Sequence, residues 1–70
     1  MNSNKYLRKI ASSMEVDIAK KSLQEEEKAI DDYSDRIKKS GPDLKKRLEH
    51  ARKEEKDHAR DFREFVENNT

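Results

Sequence analysis

The chain has 70 residues, of which 30% are hydrophobic and 47% are charged. Its 17 Lys and Arg residues and 16 Asp and Glu residues give a formal net charge of +1, and acids and bases are mixed along the sequence. This pattern argues against a nucleic-acid-binding protein, which normally carries a clustered basic patch. No apolar run approaches the roughly 20 residues of a transmembrane helix, and no signal peptide is recognisable. We therefore expect a cytoplasmic protein that binds neither nucleic acid nor membrane.

A chain of this length has room for one domain with a small core. Such a domain buries only about 60% of the surface that its unfolded chain exposes, so disulfides, a metal or oligomerisation commonly supply the missing stability. The sequence contains no cysteine, which excludes disulfides and thiolate metal sites. Metal binding and self-association remain as the two means of stabilisation.

The first predicted helix has two candidate starting points. The segment from Ser12 to Glu15 has the pattern of a capping box, in which a Ser and a Glu three residues later satisfy each other's backbone amides. An alternative start, or a short preceding helix, lies near Asn4. It is suggested by apolar residues at helical spacing, which are Tyr6, Leu7 and Ile10. The sequence pattern leaves both starts open.

A helix break is predicted where the only Gly and the only Pro stand together, at Gly41 and Pro42. Gly favours the position just past a helix C-terminus, and Pro favours the first turn of the next helix. Asp43 places a negative charge on that first turn, where the helix dipole favours it. We predict that one helix ends near Lys39 and that a second runs to about Glu67, so that the two fold back as an antiparallel hairpin.

No β-strand pattern competes with this all-α interpretation, because apolar alternation is absent. The chain is accordingly divided into an N-terminal segment (residues 1–12), a helical hairpin (residues 13–67) and a frayed C-terminus (residues 68–70).

Both helices carry a seam of core-facing positions, spaced by three and four residues. In the first helix these positions are Ala19, Leu23, Glu26, Ile30, Tyr33 and Ile37. In the second they are Leu44, Leu48, Ala51, Glu55, His58, Phe62 and Phe65. Polar residues interrupt the seams at Glu26, Glu55 and His58. Charges in a core cost several kcal/mol each unless they are paired or bind a metal.

The three interrupting residues are expected at the same level of the hairpin. Glu26 lies 15 residues before Gly41 and Glu55 lies 14 residues after it, which places both roughly 21 to 23 Å from the turn. His58 is one helical turn from Glu55 and shares its face. Three potential metal ligands, Glu26, Glu55 and His58, should therefore converge.

One hairpin is half of a four-helix bundle, so we predict a homodimer that completes the bundle. Two-fold symmetry would assemble four Glu and two His, which is the ligand set of carboxylate-bridged di-metal bundles. Such oxygen-rich donors with one imidazole per metal suit iron or manganese, and zinc also binds them.

Other interpretations of these residues remain open. A Glu-x-x-His pattern arises easily by chance in a charged helix, and polar seam residues can merely fix the register of a self-associating, non-enzymatic interaction module. Tyr33 is either an ordinary core aromatic or a residue beside the metals. Three residues off the seam share one face and form a candidate weak surface cation site, namely His50, Glu54 and Asp57.

The segments EEEKAIDDY and LEHARKEEKDHARDF resemble the ferritin-like superfamily, in particular the encapsulated ferritins and half-rubrerythrins. The resemblance covers residues 23–65. It implies a ferroxidase centre that holds two irons per dimer, with Glu26, Glu55 and His58 as ligands and Tyr33 close to the metals. It also implies that the dimers assemble further into a ring.

The sequence departs from this family pattern in two places. Lys28 stands where the family carries an acidic residue, which leaves Glu25 alone at an iron-uptake position. The sequence also lacks the helix and tail that dock encapsulated ferritins inside a shell. An encapsulin shell is therefore a poorly supported partner for this chain.

Overall fold

The computed structural model describes residues 11–70. In this part of the chain two α-helices, α1 (Ser13–Lys38) and α2 (Pro42–Asn68), fold back on each other through residues 39–41. The described range contains no strand, and the all-α hairpin predicted from the sequence is confirmed. The alternative start of the first helix near Asn4 lies outside the described residues.

The start of α1 is a capping box, as the sequence predicts. Ser12 has extended backbone angles (φ −63°, ψ 159°) and is the N-cap. Its hydroxyl oxygen accepts a hydrogen bond from the amide of Glu15 at 3.2 Å, and its own amide donates to Oε1 of Glu15 at 3.1 Å. Two amides that the first turn leaves without helical partners are thereby satisfied.

The connection between the helices differs from the prediction at Gly41. The amide of Lys39 donates to the carbonyl of Arg36 at 3.1 Å, and the hydroxyl of Ser40 donates to the same carbonyl at 2.6 Å. Because these two residues already close α1, Gly41 serves instead as the N-cap of α2, with φ −74° and ψ 175°. Any residue adopts these angles. Pro42 and Asp43 lie in the first turn of α2, as predicted.

The core of the hairpin is small and lies along the line where the helices touch. Its buried side chains are Val16, Ala19, Ile37 and Ala59. Ala59 is the most buried of them, and its small side chain allows α1 to approach α2 closely. Val16 and Ala59 were not among the predicted seam positions.

Several large apolar side chains stay exposed on the hairpin. Two of them belong to the predicted seam, Leu44 (54% exposed) and Phe65 (37%), and two more, Met14 (70%) and Ile18 (59%), project from the first turns of α1. Two helices in contact cover only one side of each other's apolar stripe, so the outer part of the stripe is left in solvent. Neither described helix is sufficiently long and apolar to cross a membrane.

Candidate metal centre

Glu26, in the middle of α1, faces Glu55 and His58, in the middle of α2. The Nδ1 atom of His58 lies 3.1 Å from Oε2 of Glu26 and 3.4 Å from Oε1 of Glu55. One ligand atom from each residue lies within 4.8 Å of the other two. Of the residues that the structure describes, these three form the group of carboxylates and imidazole that could hold a metal ion. The convergence that the seam pattern predicts therefore occurs within a single chain.

The exposure of the three side chains is uneven. The carboxyl-bearing side chains of Glu26 and Glu55 are 20% and 23% exposed, whereas that of His58 is 57% exposed. The carboxylates therefore lie against the packed helices, and the imidazole borders the open face of the hairpin.

The distances also suit a metal ion. Around an ion with bonds of about 2.1 Å, two neighbouring donor atoms at right angles lie about 3 Å apart. The separations of 3.1 and 3.4 Å between imidazole nitrogen and carboxylate oxygens are close to that value. One imidazole and two carboxylates leave several coordination positions of an octahedral ion unfilled, so one chain alone provides an incomplete ligand set.

Contacts between the helices keep the three residues at one level. Arg63 donates to a carboxylate oxygen of Glu27 at 3.2 Å, next to Glu26 in α1. Towards the loop, Arg52 donates to the hydroxyl of Ser34 at 3.1 Å. Exposed ion pairs contribute little energy, on the order of 1 kcal/mol or less. Their effect here is to limit how far α1 can slide along α2.

An open cleft of about 460 Å³ borders the three-residue group. It is lined by Glu26, His58, Asp61 and Phe62. Asp61 was not selected from the sequence, although it follows His58 by three residues and so lies one helical turn farther along α2. The three-residue spacing from His58 is the sequence signal that could have predicted Asp61. This spacing does not distinguish Asp61, because α2 contains many other acidic residues.

An apolar groove of about 370 Å³ continues from this cleft towards the chain termini. The two cavities share Asp61 and Phe62. The groove is further lined by Ile18, Ala19 and Phe65 and bordered by Glu15. A polar cleft beside the ligands and an apolar groove therefore form one continuous surface.

Tyr33 lies apart from the three ligands in the chain itself. It follows Glu26 by seven residues, which is about 10 Å along α1. Its ring is half-buried, and the guanidinium carbon of Arg36 lies 5.5 Å from the ring centroid. A position of Tyr33 beside the metals would require a second chain and stays a prediction.

The candidate weak surface site is only partly assembled. Nε2 of His50 lies 3.7 Å from Oε1 of Glu54, and both side chains are highly exposed. Asp57 pairs instead with Arg60, at 3.3 Å. Its carboxylate is therefore engaged by a cation of the protein itself, and the surface site stays a prediction.

A family model described as EncFtn-like matches residues 2–70. No curated protein matches the chain, and no solved structure does either.

Proposed function

The chain belongs to the EncFtn-like family, and from this membership and the geometry of Glu26, Glu55 and His58 we propose that it binds iron and oxidises it from the ferrous to the ferric state. The observation that carries the proposal is the convergence of three ligand atoms within 4.8 Å. Membership of a ferritin-like family suggests iron, and two carboxylates with one imidazole are donors that ferrous iron accepts.

The proposed reaction centre is dinuclear and is shared by two copies of the chain. One chain offers two carboxylates and one imidazole, so two chains related by a two-fold axis offer four carboxylates and two imidazoles, the set of di-iron helical bundles. Exposed Ile18 and Phe65 lie on the surface that continues from the ligands. Pairing of two such surfaces would bury apolar area and bring the ligand groups together in one step.

In this proposal iron is the substrate. Two ferrous ions each lose one electron, and one oxygen molecule accepts both electrons and two protons and leaves as hydrogen peroxide. With peroxide as the oxidant, the same two electrons and two protons yield two water molecules. Glu26 and Glu55 would hold the ions by negative charge that favours the ferric product, and His58 would supply a nitrogen donor.

The function is tested by oxygen consumption after anaerobic loading with ferrous iron. We expect the wild-type protein to consume oxygen in proportion to the iron added and Glu26→Gln to consume it at the rate of iron in buffer. Asp17→Asn is the matched control, because Asp17 is an exposed acid nine residues before Glu26 and so lies on the opposite side of α1. A wild-type rate of oxygen consumption by Glu26→Gln would remove Glu26 from the reaction.

A second candidate function is a non-enzymatic, self-associating interaction module. It is favoured by one observation: the imidazole of His58 already contacts both Glu26 and Glu55, so the polar residues of the seam satisfy one another without a further ligand. In that case association would be the same with and without metal, and iron would not accelerate oxygen consumption.

A further inference from the structure

We propose that Asp61 attracts the divalent cation into the candidate centre and determines how fast the centre is filled. This inference rests on the proposed function, because it assigns a role in loading the same site. Asp61 lines the cleft that borders Glu26 and His58, and among the described residues it is the one charged residue of that lining outside the three proposed ligands.

The charge of Asp61 is available to an incoming cation. In residues 11–70 no Lys, Arg or His forms an ion pair with its carboxylate, whereas neighbouring acids such as Glu27 and Asp57 pair with arginines. In the single chain the residue is also exposed, so a hydrated ion can meet it before two chains pair.

The charged side chains that line the cleft favour a cation. In residues 11–70 the lining contains the carboxylates of Glu26 and Asp61 and no Lys or Arg. Arg63, which joins the helices on the same side of the centre as Asp61, has its charge paired with Glu27. Clefts lined by one sign of charge raise the association rate of ions of the opposite sign.

The size of the effect follows from Coulomb's law. Residues three apart on a helix lie about 5–6 Å from each other, so a single carboxylate acts on a divalent ion near His58 from about 7 Å. In water at 0.01 M salt this attraction corresponds to an increase of roughly fivefold in the local concentration of the ion. The attraction is screened when the Debye length falls from about 30 Å at 0.01 M salt to about 3 Å at 1 M.

The test measures the association rate of Co²⁺ by stopped-flow absorbance, which requires no oxidation. At 0.01 M salt we expect Asp61→Asn to bind Co²⁺ about fivefold more slowly than wild type, with the same number of ions bound at saturation. At 1 M salt the two rates should agree. Asp61→Glu should restore the rate, because it restores the charge.

Asp17→Asn is the matched control, since Asp17 is an exposed residue nine positions before Glu26 and so lies on the opposite side of α1. It should bind at the wild-type rate. The proposal is overturned if Asp61→Asn binds at the wild-type rate at low salt, if it is equally slow at 1 M salt, or if Asp17→Asn is slowed as much. Loss of bound ions in Asp61→Asn would also overturn it, because Asp61 would then be a ligand.

Glu26→Gln separates this proposal from the proposed function. If Glu26→Gln binds no Co²⁺ while Asp61→Asn binds at the wild-type rate, only the role of Asp61 is refuted. If Glu26→Gln binds as many ions as wild type, the centre itself is refuted and the role of Asp61 with it.

Discussion

Nδ1 of His58 lies 3.1 Å from Oε2 of Glu26, although the two residues are 32 positions apart in the chain. The hairpin turn brings them together because they are nearly equally distant from it. His58 also contacts Glu55 on its own helix, at 3.4 Å, so a single ring bridges two carboxylates that would otherwise face each other. Because His58 contacts both carboxylates, substitutions at Glu26 and at His58 should change the stability of the protein in different ways.

Glu26→Gln and His58→Ala should both abolish stabilisation by metal but differ when metal is removed. With a chelator, Glu26→Gln should match or exceed wild-type stability, because it removes one of two like charges. His58→Ala should lose up to about 1 kcal/mol, because it leaves the two carboxylates facing each other and the bridge is partly solvent-exposed. Urea unfolding followed by circular dichroism measures both effects. A stable His58→Ala protein in chelator would contradict the bridging role.

Ile18→Glu should prevent dimerisation while leaving the helical hairpin intact. Ile18 is 59% exposed in the single chain, so its loss costs the hairpin little, but in the proposed dimer it would bury a charge. Light scattering at micromolar concentration should give twice the 8.3 kDa mass, or a multiple of that dimer mass, for wild type and 8.3 kDa for the variant.

Gln24→Glu is the control for Ile18→Glu, because it adds the same charge at an exposed position of α1 outside the apolar groove. It should remain a dimer. A monomeric wild-type protein with full helicity would contradict the shared centre directly.

Metal should tighten the association of the two chains, since the proposed ligands come from both. A ligand at a hundredfold excess over its Kd stabilises the species that binds it by about 2.7 kcal/mol, which corresponds to about a hundredfold tighter dimer. Sedimentation velocity over decreasing protein concentration, with Mn²⁺ or with chelator, measures this shift. His58→Ala should dissociate at the same concentration in both conditions. Identical curves for the wild type would favour the interaction module.

Ser12→Ala should destabilise the hairpin by about 1 kcal/mol, because it removes the side-chain acceptor for the amide of Glu15. The midpoint of urea unfolding should fall without a change in its slope. Ser13→Ala is the control, because Ser13 is the first residue of the helix and not its cap. Equal midpoints for the two variants would show that the capping box does not stabilise α1 in solution.

The candidate centre could be predicted from the sequence because it depends on two simple periodicities. Seam spacing of three and four residues selects the faces of the helices, and equal distance from the Gly41–Pro42 break sets the level at which Glu26 meets Glu55. The capping box at Ser12 is equally local, since its bonds join residues three apart. Such features need only a helix and a turn to be realised.

Other features depend on how each helix is rotated about its own axis and on how closely the two helices approach. Only the tertiary structure decided these features. Ala59 is the most buried of the core residues because it lies where the two helices touch. Leu44 is 54% exposed because two helices leave part of a seam uncovered. Gly41 became an N-cap because Lys39 and Ser40 had already closed α1. Asp61 lines the ligand cleft because the rotation of α2 about its axis places it beside Glu26 and His58. Periodicity specifies a face to within about one residue, or 100° of helix, and that margin is too coarse to distinguish a buried side chain from one at the edge of a cleft.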